Sequence, residues 1–184
     1  MNLKTDSPPE RTHQISLNRK EITMSNPHSL LIYLAGHIHG GWRDHVRELC
    51  QGRGLGITFK GPCENHGLSD DIGVQVRGLS DGDVGNSYFP RVKDDLGGRV
   101  NNLRTRVWIA KCDLLIAFFD EEHKNYRQWN TSSDIAEANR YNKPVIVVHS
   151  PGFRHSLKEL DGRADVVVDS LEQAVETLTY ICDD

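Results

Sequence analysis

Four clusters of polar and aromatic residues hold the side chains of this sequence that are able to do chemistry. The first is Gly36, His37, His39, Trp42 and Arg43, and the second is Asn65, His66, Ser69, Asp70 and Asp71. The third is Asp120, Tyr126, Gln128, Trp129, Asn130 and Asp134, and the fourth is His149 with Ser150. Amides read the edges of a base or a sugar, and aromatic rings stack on a planar ligand. Carboxylates act as nucleophiles or as acid/base groups. Together these residue types suit a polar small molecule with a ring to stack on and a bond for a carboxylate to attack.

Each group also has an ordinary structural role to set beside the chemical one. Thr131-Ser132-Ser133-Asp134 reads as a capping box, with Thr131 capping a helix and Asp134 reaching back to it. An acid at that place also suits the helix dipole. Gln128, Trp129 and Asn130 can serve turn chemistry, although a Trp beside two amides suggests stacking. His66, Ser69 and Asp70 are common loop residues, but their density beside Asn65 favours a pocket wall or a lid. Trp42 opens a helix and reads as packing. Asn102 and Arg104, with Asn101, lie on a helix that starts near the pocket rim. No metal is expected, because His37 and His39 point apart on an extended chain and no Cys or Glu stands at ligand spacing. The turn from Ala35 to Gly41 is not a GxGxxG fingerprint and there is no P-loop, so no cofactor is expected.

The elements that must position these clusters are legible as apolar runs. Leu30–Ala35, Leu114–Phe119 and Val145–Val148 are continuous apolar segments, the mark of strands buried on both faces. Ile57–Phe59 and Val166–Val168 are shorter candidates. Helical spacing appears over 42–51, 99–111, 131–142 and 170–182. Residues 63–98 are rich in Gly, Asp and Asn with little periodicity, which predicts a functional or mobile stretch. Alternating strands and helices predict an α/β fold in three layers, α/β/α. The expected sheet is flavodoxin-like and doubly wound, with five parallel strands near 30–35, 56–60, 113–119, 144–149 and 165–168 in the order 2-1-3-4-5. All four clusters then follow strand carboxyl ends, where such folds bind ligands, while Asp113 falls at the opposite rim and reads as structural.

At 184 residues the chain suits one domain. A 37% hydrophobic share is low and points to an unpacked portion. Residues 1–29 are polar without an apolar run, so a disordered tail is expected there and a domain over 30–184. The tail lacks the apolar core of a secretory signal, and Met24 stands as an alternative start. Net charge is −4 with no basic stripe, which disfavours duplex nucleic acid. No stretch has the length of a membrane span. The four cysteines show no CxxC pair and read as free thiols of a reducing compartment, so a cytoplasmic location is expected.

From Tyr33-Leu34-Ala35-Gly36 onward the sequence resembles the nucleoside 2-deoxyribosyltransferase superfamily, and within it the YtoQ family. The segments that carry the resemblance are YLAGHIHGGWRDHV (33–46), GPCENHGLSDDIG (61–73), NNLRT (101–105), CDLLIAFF (112–119) and YRQWNTSSDIAEA (126–138). They span 30–183 in order, with 82–100 undiagnostic. In the transferases a glutamate early in the helix after the third strand attacks C1′ of a nucleoside sugar. Counting back from Lys143-Pro144, the resemblance places that role on Asp134, one methylene shorter. The Asp-x-Gly that holds the sugar hydroxyls is replaced by Gln128-Trp129-Asn130. The resemblance thus implies a nucleoside or nucleotide as ligand and a homo-oligomer that completes the pocket. It implies a hydrolase or glycosyl transferase at the N-glycosidic bond, with substrate-binding residues Gly36, His37, His39, Asn65, His66, Ser69, Asp70, Asn102, Arg104, Gln128, Trp129 and Asn130. The competing reading is a nucleotide-binding or sensing module that kept the pocket and lost the chemistry, as the Glu-to-Asp change would allow.

Overall fold

The computed structural model describes residues 29–79, 92–121 and 128–183. The expected disordered tail, Met24 and Tyr126 lie outside the described residues. Five strands form one parallel sheet: β1 (Leu31–Ala35), β2 (Thr58–Lys60), β3 (Leu114–Phe119), β4 (Val145–His149) and β5 (Val166–Val168). Their order is β2-β1-β3-β4-β5, every pair parallel, with Tyr33 beside Leu115 and Ala117 beside Val147. Chain direction across the sheet reverses between β1 and β3, and a crevice opens there at the carboxyl ends.

Strand side chains alternate between two cores, as a two-residue period requires. Ile32, Leu34, Leu114, Ile116, Ile146 and Val148 pack on one face against α1 (Trp42–Gly52) and α6 (Leu171–Cys182). Tyr33, Ala35, Leu115, Ala117, Val145 and Val147 pack on the other face against α3 (Gly97–Lys111) and α4 (Trp129–Arg140). Leu157 and Leu160 of α5 (Arg154–Asp161) cover the same face. Both faces are thus covered, which explains why the central strands are apolar throughout rather than alternating. At the opposite rim the Asp113 carboxylate accepts from the Leu31 N–H at 2.7 Å, and Asp165 accepts from Val145 at 2.8 Å. These bonds satisfy strand-end donors and register the sheet.

Three elements differ from the sequence-based expectation. Helix α2 (His66–Arg77) lies inside the stretch read as aperiodic. Asn65 caps it, accepting from the Leu68 N–H at 3.0 Å, and Gly78 ends it at φ 66°. Its interior Gly73 looks like a helix breaker in sequence but is a contact point. A Cβ there would fall onto the Val92 carbonyl oxygen and 2.5 Å from the Gly97 nitrogen. Val92–Leu96, a π-helical turn, leads directly into α3 along that contact. Gly73→Ala is therefore expected to cost about 1–3 kcal/mol by overpacking, read as a lower urea midpoint; an unchanged midpoint would mean the backbones can part freely. Helix α4 starts at Trp129 rather than Thr131, and α5 had no expectation attached to it. Among the described residues no helix is long and apolar enough to cross a membrane.

Candidate functional site

The turn after β1 is fixed from below by a buried cation. Arg43 is 1% exposed, and its guanidinium donates to three carbonyls: Leu34 at 3.2 Å, His37 at 2.7 Å and Gly36 at 2.8 Å. The Trp42 indole N–H donates to the same His37 carbonyl at 3.0 Å, and the Arg43 guanidinium lies 4.4 Å from the Trp42 ring centre. Burial lowers the Arg43 pKa to about 10, which leaves it charged at neutral pH. Gly36 is required here because a Cβ would lie 2.7 Å from the Trp42 ring and 3.1 Å from the Phe118 carbonyl. His37 is buried. Its Nδ1 accepts from the His39 N–H at 3.2 Å and its Nε2 stands 3.3 Å from Asp120 Oδ2. An accepting Nδ1 puts the proton of a neutral ring on Nε2, toward that carboxylate.

This turn is one wall of a cavity of about 270 Å³ at the strand carboxyl ends. Gly36, His37 and Ile38 line it from β1, and Pro62 and Cys63 from the end of β2. Helix α2 contributes His66, Ser69 and Asp70; α3 contributes Asn101, Asn102, Arg104 and Thr105. Helix α4 contributes Asn130, Thr131 and Asp134. Several of these groups are bonded to one another. His66 Nδ1 lies 3.1 Å from Asp70 Oδ2, and the Asn101 amide donates to the Ser69 carbonyl and hydroxyl at 3.0 and 3.1 Å. The Thr105 hydroxyl lies 3.2 Å from that of Tyr33. Asp134, Asn130, Asn102 and Arg104 make no side-chain hydrogen bond or ion pair with the described residues.

Asp134 is the unusual group. With α4 beginning at Trp129 and no side chain capping it, Asp134 sits beyond the first turn. The capping-box reading is thereby overturned, because Thr131 is already inside the helix and 2% exposed. Burial raises the Asp134 pKa from 3.8 to about 7, partly countered by the Arg43 charge. Tyr33, beneath the cavity, is pushed well above the usual phenol range by burial and by the Asp134 charge. A carboxyl held in a polar cavity, near half-ionised at neutral pH and without a hydrogen-bond partner among the described residues, has surroundings of the kind found around acid/base and nucleophilic groups.

Four residues in the expected binding set stand outside the lining. His39 is exposed, its ring 6.1 Å from that of His66 and 6.5 Å from that of His37. Asn65 is occupied as the α2 cap. The Gln128 amide bridges the end of β3, donating to the Phe118 carbonyl at 3.0 Å and accepting from the Asp120 N–H at 3.2 Å. Trp129 is 70% exposed at the start of α4. His149 is also outside the lining, with its ring nitrogens 2.7 Å from the Ser150 carbonyl and 3.0 Å from Asp161 Oδ1. Ile38, Pro62, Cys63, Thr105 and Thr131 line the cavity without having been singled out as binding groups. A signal existed for two of them, since Thr105 lies four residues after Asn101 and Thr131 three before Asp134, which is one helical face. Among the described residues no group of three or more His, Cys, Asp and Glu is placed to hold a metal ion.

A solved structure, the CMP N-glycosidase BcmB of Clostridium botulinum, superimposes with a TM-score of 0.36 at 11% identity, over 82% of this chain and 98% of that one. The uncharacterized protein YtoQ of Bacillus subtilis (strain 168) is 39% identical over 151 residues, covering 82% of this chain and 95% of that protein. The family model described as nucleoside 2-deoxyribosyltransferase YtoQ matches residues 33–182. The chain therefore belongs to the nucleoside 2-deoxyribosyltransferase YtoQ family.

Proposed function

We propose that the protein cleaves the N-glycosidic bond of a nucleoside or nucleotide, with Asp134 as the carboxylate at C1′. The observation that carries this reading is the Asp134 carboxyl in the cavity wall, with no hydrogen-bond partner among the described residues, at the position where the family resemblance puts a nucleophile. The C1′–N bond breaks with its electron pair leaving on the base, which is then protonated. Ionised Asp134 either bonds to C1′ or stabilises the positive charge on the sugar while water or a second base attacks. An aspartate reaches less far than a glutamate, which favours a closely seated sugar or direct attack by water. The amides of Asn102 and Asn130 line the cavity with no partner among the described residues, which suits them to ligand hydroxyl or base-edge hydrogen bonds.

The direct test is a panel of ribo- and deoxyribonucleosides and their phosphates, screened chromatographically for free base. Tight binding without base release from any member would replace the enzyme reading with the binding module. The pH dependence follows from Asp134. The ionised form is the active one, and its pKa is about 7. Below that value kcat/KM is expected to fall about tenfold per pH unit, and above it to level off. A flat profile across this range would remove the ionisation of Asp134 from the mechanism.

A further inference from the structure

Helix α4 puts two polar side chains into the cavity wall from one of its faces. Asn130 and Asp134 both line the cavity and stand four residues apart within Trp129–Arg140. Residues at that spacing are neighbours on a helix surface, with Cβ atoms about 5–6 Å apart. Helical side chains lean toward the N-terminus, so the Asp134 carboxyl leans toward Asn130. Neither makes a hydrogen bond or ion pair with the described residues.

The backbone that presents Asn130 is held in place. Two residues earlier, the Gln128 amide is tied to the Phe118 carbonyl and the Asp120 N–H at the end of β3. The next residue, Thr131, is buried, and its N–H donates to the Gln128 carbonyl at 3.2 Å. The start of α4 is thus anchored to the sheet, which gives the exposed Asn130 amide a fixed point of origin beside Asp134.

Stereochemistry then says what an amide in that place meets. A carboxylate that attacks C1′ stands on the sugar face opposite the leaving group. In a β-nucleoside that face carries the 2′-hydroxyl of ribose, whereas 2-deoxyribose has only hydrogens at C2′. The 2′-hydroxyl sits on the carbon next to C1′, so it is the hydroxyl nearest the Asp134 carboxylate. An aspartate also stops one methylene short of a glutamate and leaves room on that face for such a group. The Asn130 amide has both an acceptor and a donor to offer it.

We propose that Asn130 selects the sugar: it binds the 2′-hydroxyl, so that the cavity takes ribonucleosides in preference to 2′-deoxyribonucleosides. The proposal deepens the Asp134 reading above and rests on it. A hydrogen bond to this hydroxyl strengthens as the sugar becomes cationic, so its effect falls on kcat as well as on KM. The selection runs against intrinsic reactivity, because an electron-withdrawing 2′-hydroxyl makes a cation at C1′ harder to form. It also sets the chain apart from the 2-deoxyribosyl transfer for which the family is named.

Free-base release from matched ribo- and 2′-deoxyribonucleosides of each common base, by wild type, Asn130→Ala and Asn130→Ser, tests this. Wild type is expected to favour the ribo member by about tenfold in kcat/KM, a modest factor because water can replace the hydroxyl at an exposed amide. Asn130→Ala should erase the ratio by slowing the ribo member alone, and Asn130→Ser should keep part of it. Unchanged thermal unfolding of both variants checks that the fold is intact. A deoxy preference in wild type, or a ribo preference that survives Asn130→Ala, overturns the proposal. So does an equal loss on both members of a pair, which would mark a structural role. Binding separates the selection from the glycosidic reading. Pseudouridine and 2′-deoxypseudouridine are joined to their sugars through carbon and have no N-glycosidic bond to cleave, so calorimetry reads their affinities without turnover. A preference for pseudouridine that Asn130→Ala erases, with no base release from any nucleoside, keeps the selection and sinks the glycosidic reading. Release without a ribo preference keeps Asp134 and sinks the selection. Neither binding nor release sinks both.

Discussion

Asp134→Asn is expected to abolish free-base release, by on the order of 10⁴-fold, and to leave the protein more stable than wild type above pH 7. The two effects have one cause. The carboxyl is charged when it works, and burial opposes that charge, as the raised pKa of about 7 against 3.8 shows. The folded state holds the proton more tightly than the unfolded one. Below pH 3.8 the group is neutral in both states and costs nothing. Between pH 3.8 and 7 the unfolded chain gives up the proton while the folded one still holds it, so stability falls across that window, by up to about 4 kcal/mol, and levels off once both states are charged. Asparagine keeps the shape and is never charged. Thermal unfolding of the two proteins at pH 4 and pH 8 should coincide at the first and separate at the second, by roughly 2–4 °C per kcal/mol for a chain of this size. A variant that is inactive and also less stable at pH 8 would show that Asp134 serves the fold. A variant that is stable and still active would remove it from the chemistry.

Arg43→Met is expected to cost about 3–5 kcal/mol, the largest loss of stability from any single change considered for this protein. The side chain is buried with its charge and supplies the hydrogen bonds of the Leu34, Gly36 and His37 carbonyls. Methionine fills the space and donates nothing, so those oxygens are left in a low-dielectric site without partners. Arg43→Lys keeps the charge but not the fork, so it should recover only part of the loss. Urea unfolding reads both. The same substitution carries a chemical signature, because the Arg43 charge lowers the Asp134 pKa. Arg43→Met should therefore move the acid limb of the pH–rate profile toward higher pH, and Arg43→Lys should move it less. A profile that stays in place in Arg43→Met would mean that the cation acts on the turn alone.

The strands were legible because their burial is two-sided. Runs such as Leu114–Phe119 and Val145–Val148 need no partner to be recognised, and the alternation of elements then dictates the order β2-β1-β3-β4-β5. The rim that carries the cavity was legible for the same reason, since polar clusters follow each buried run. Helix α2 was not legible. Its sequence, HGLSDDIGVQVR, contains two glycines, and only Gly73 and Val74 are buried, so no apolar stripe announces it. The reason for Gly73 lies in the backbone it touches, which is distant in sequence and invisible in composition. The start of α4 was misplaced because Thr131-Ser132-Ser133-Asp134 imitates a cap, while the position before the helix, Gln128, uses its side chain on β3 instead. Gln128 and Trp129 stand outside the cavity lining for a related reason. Residue type proposes a ligand contact, but the direction of a side chain at a loop–helix junction depends on dihedral angles that pattern does not encode.

The approach of Gly73 to Val92 and Gly97 has a mechanical consequence for the cavity. Where helices meet through side chains, flexible rotamers let one slide a little past the other. Here backbone meets backbone, with no such cushion between α2 and the entry to α3. Close-packed contacts of that kind transmit displacement instead of absorbing it. His66, Ser69 and Asp70 on one helix and Asn102 and Arg104 on the other therefore travel as a single stiff plate, further tied by the Asn101 amide on Ser69. A shift of that whole plate relative to α4, which holds Asn130 and Asp134, changes the width of the cavity between them.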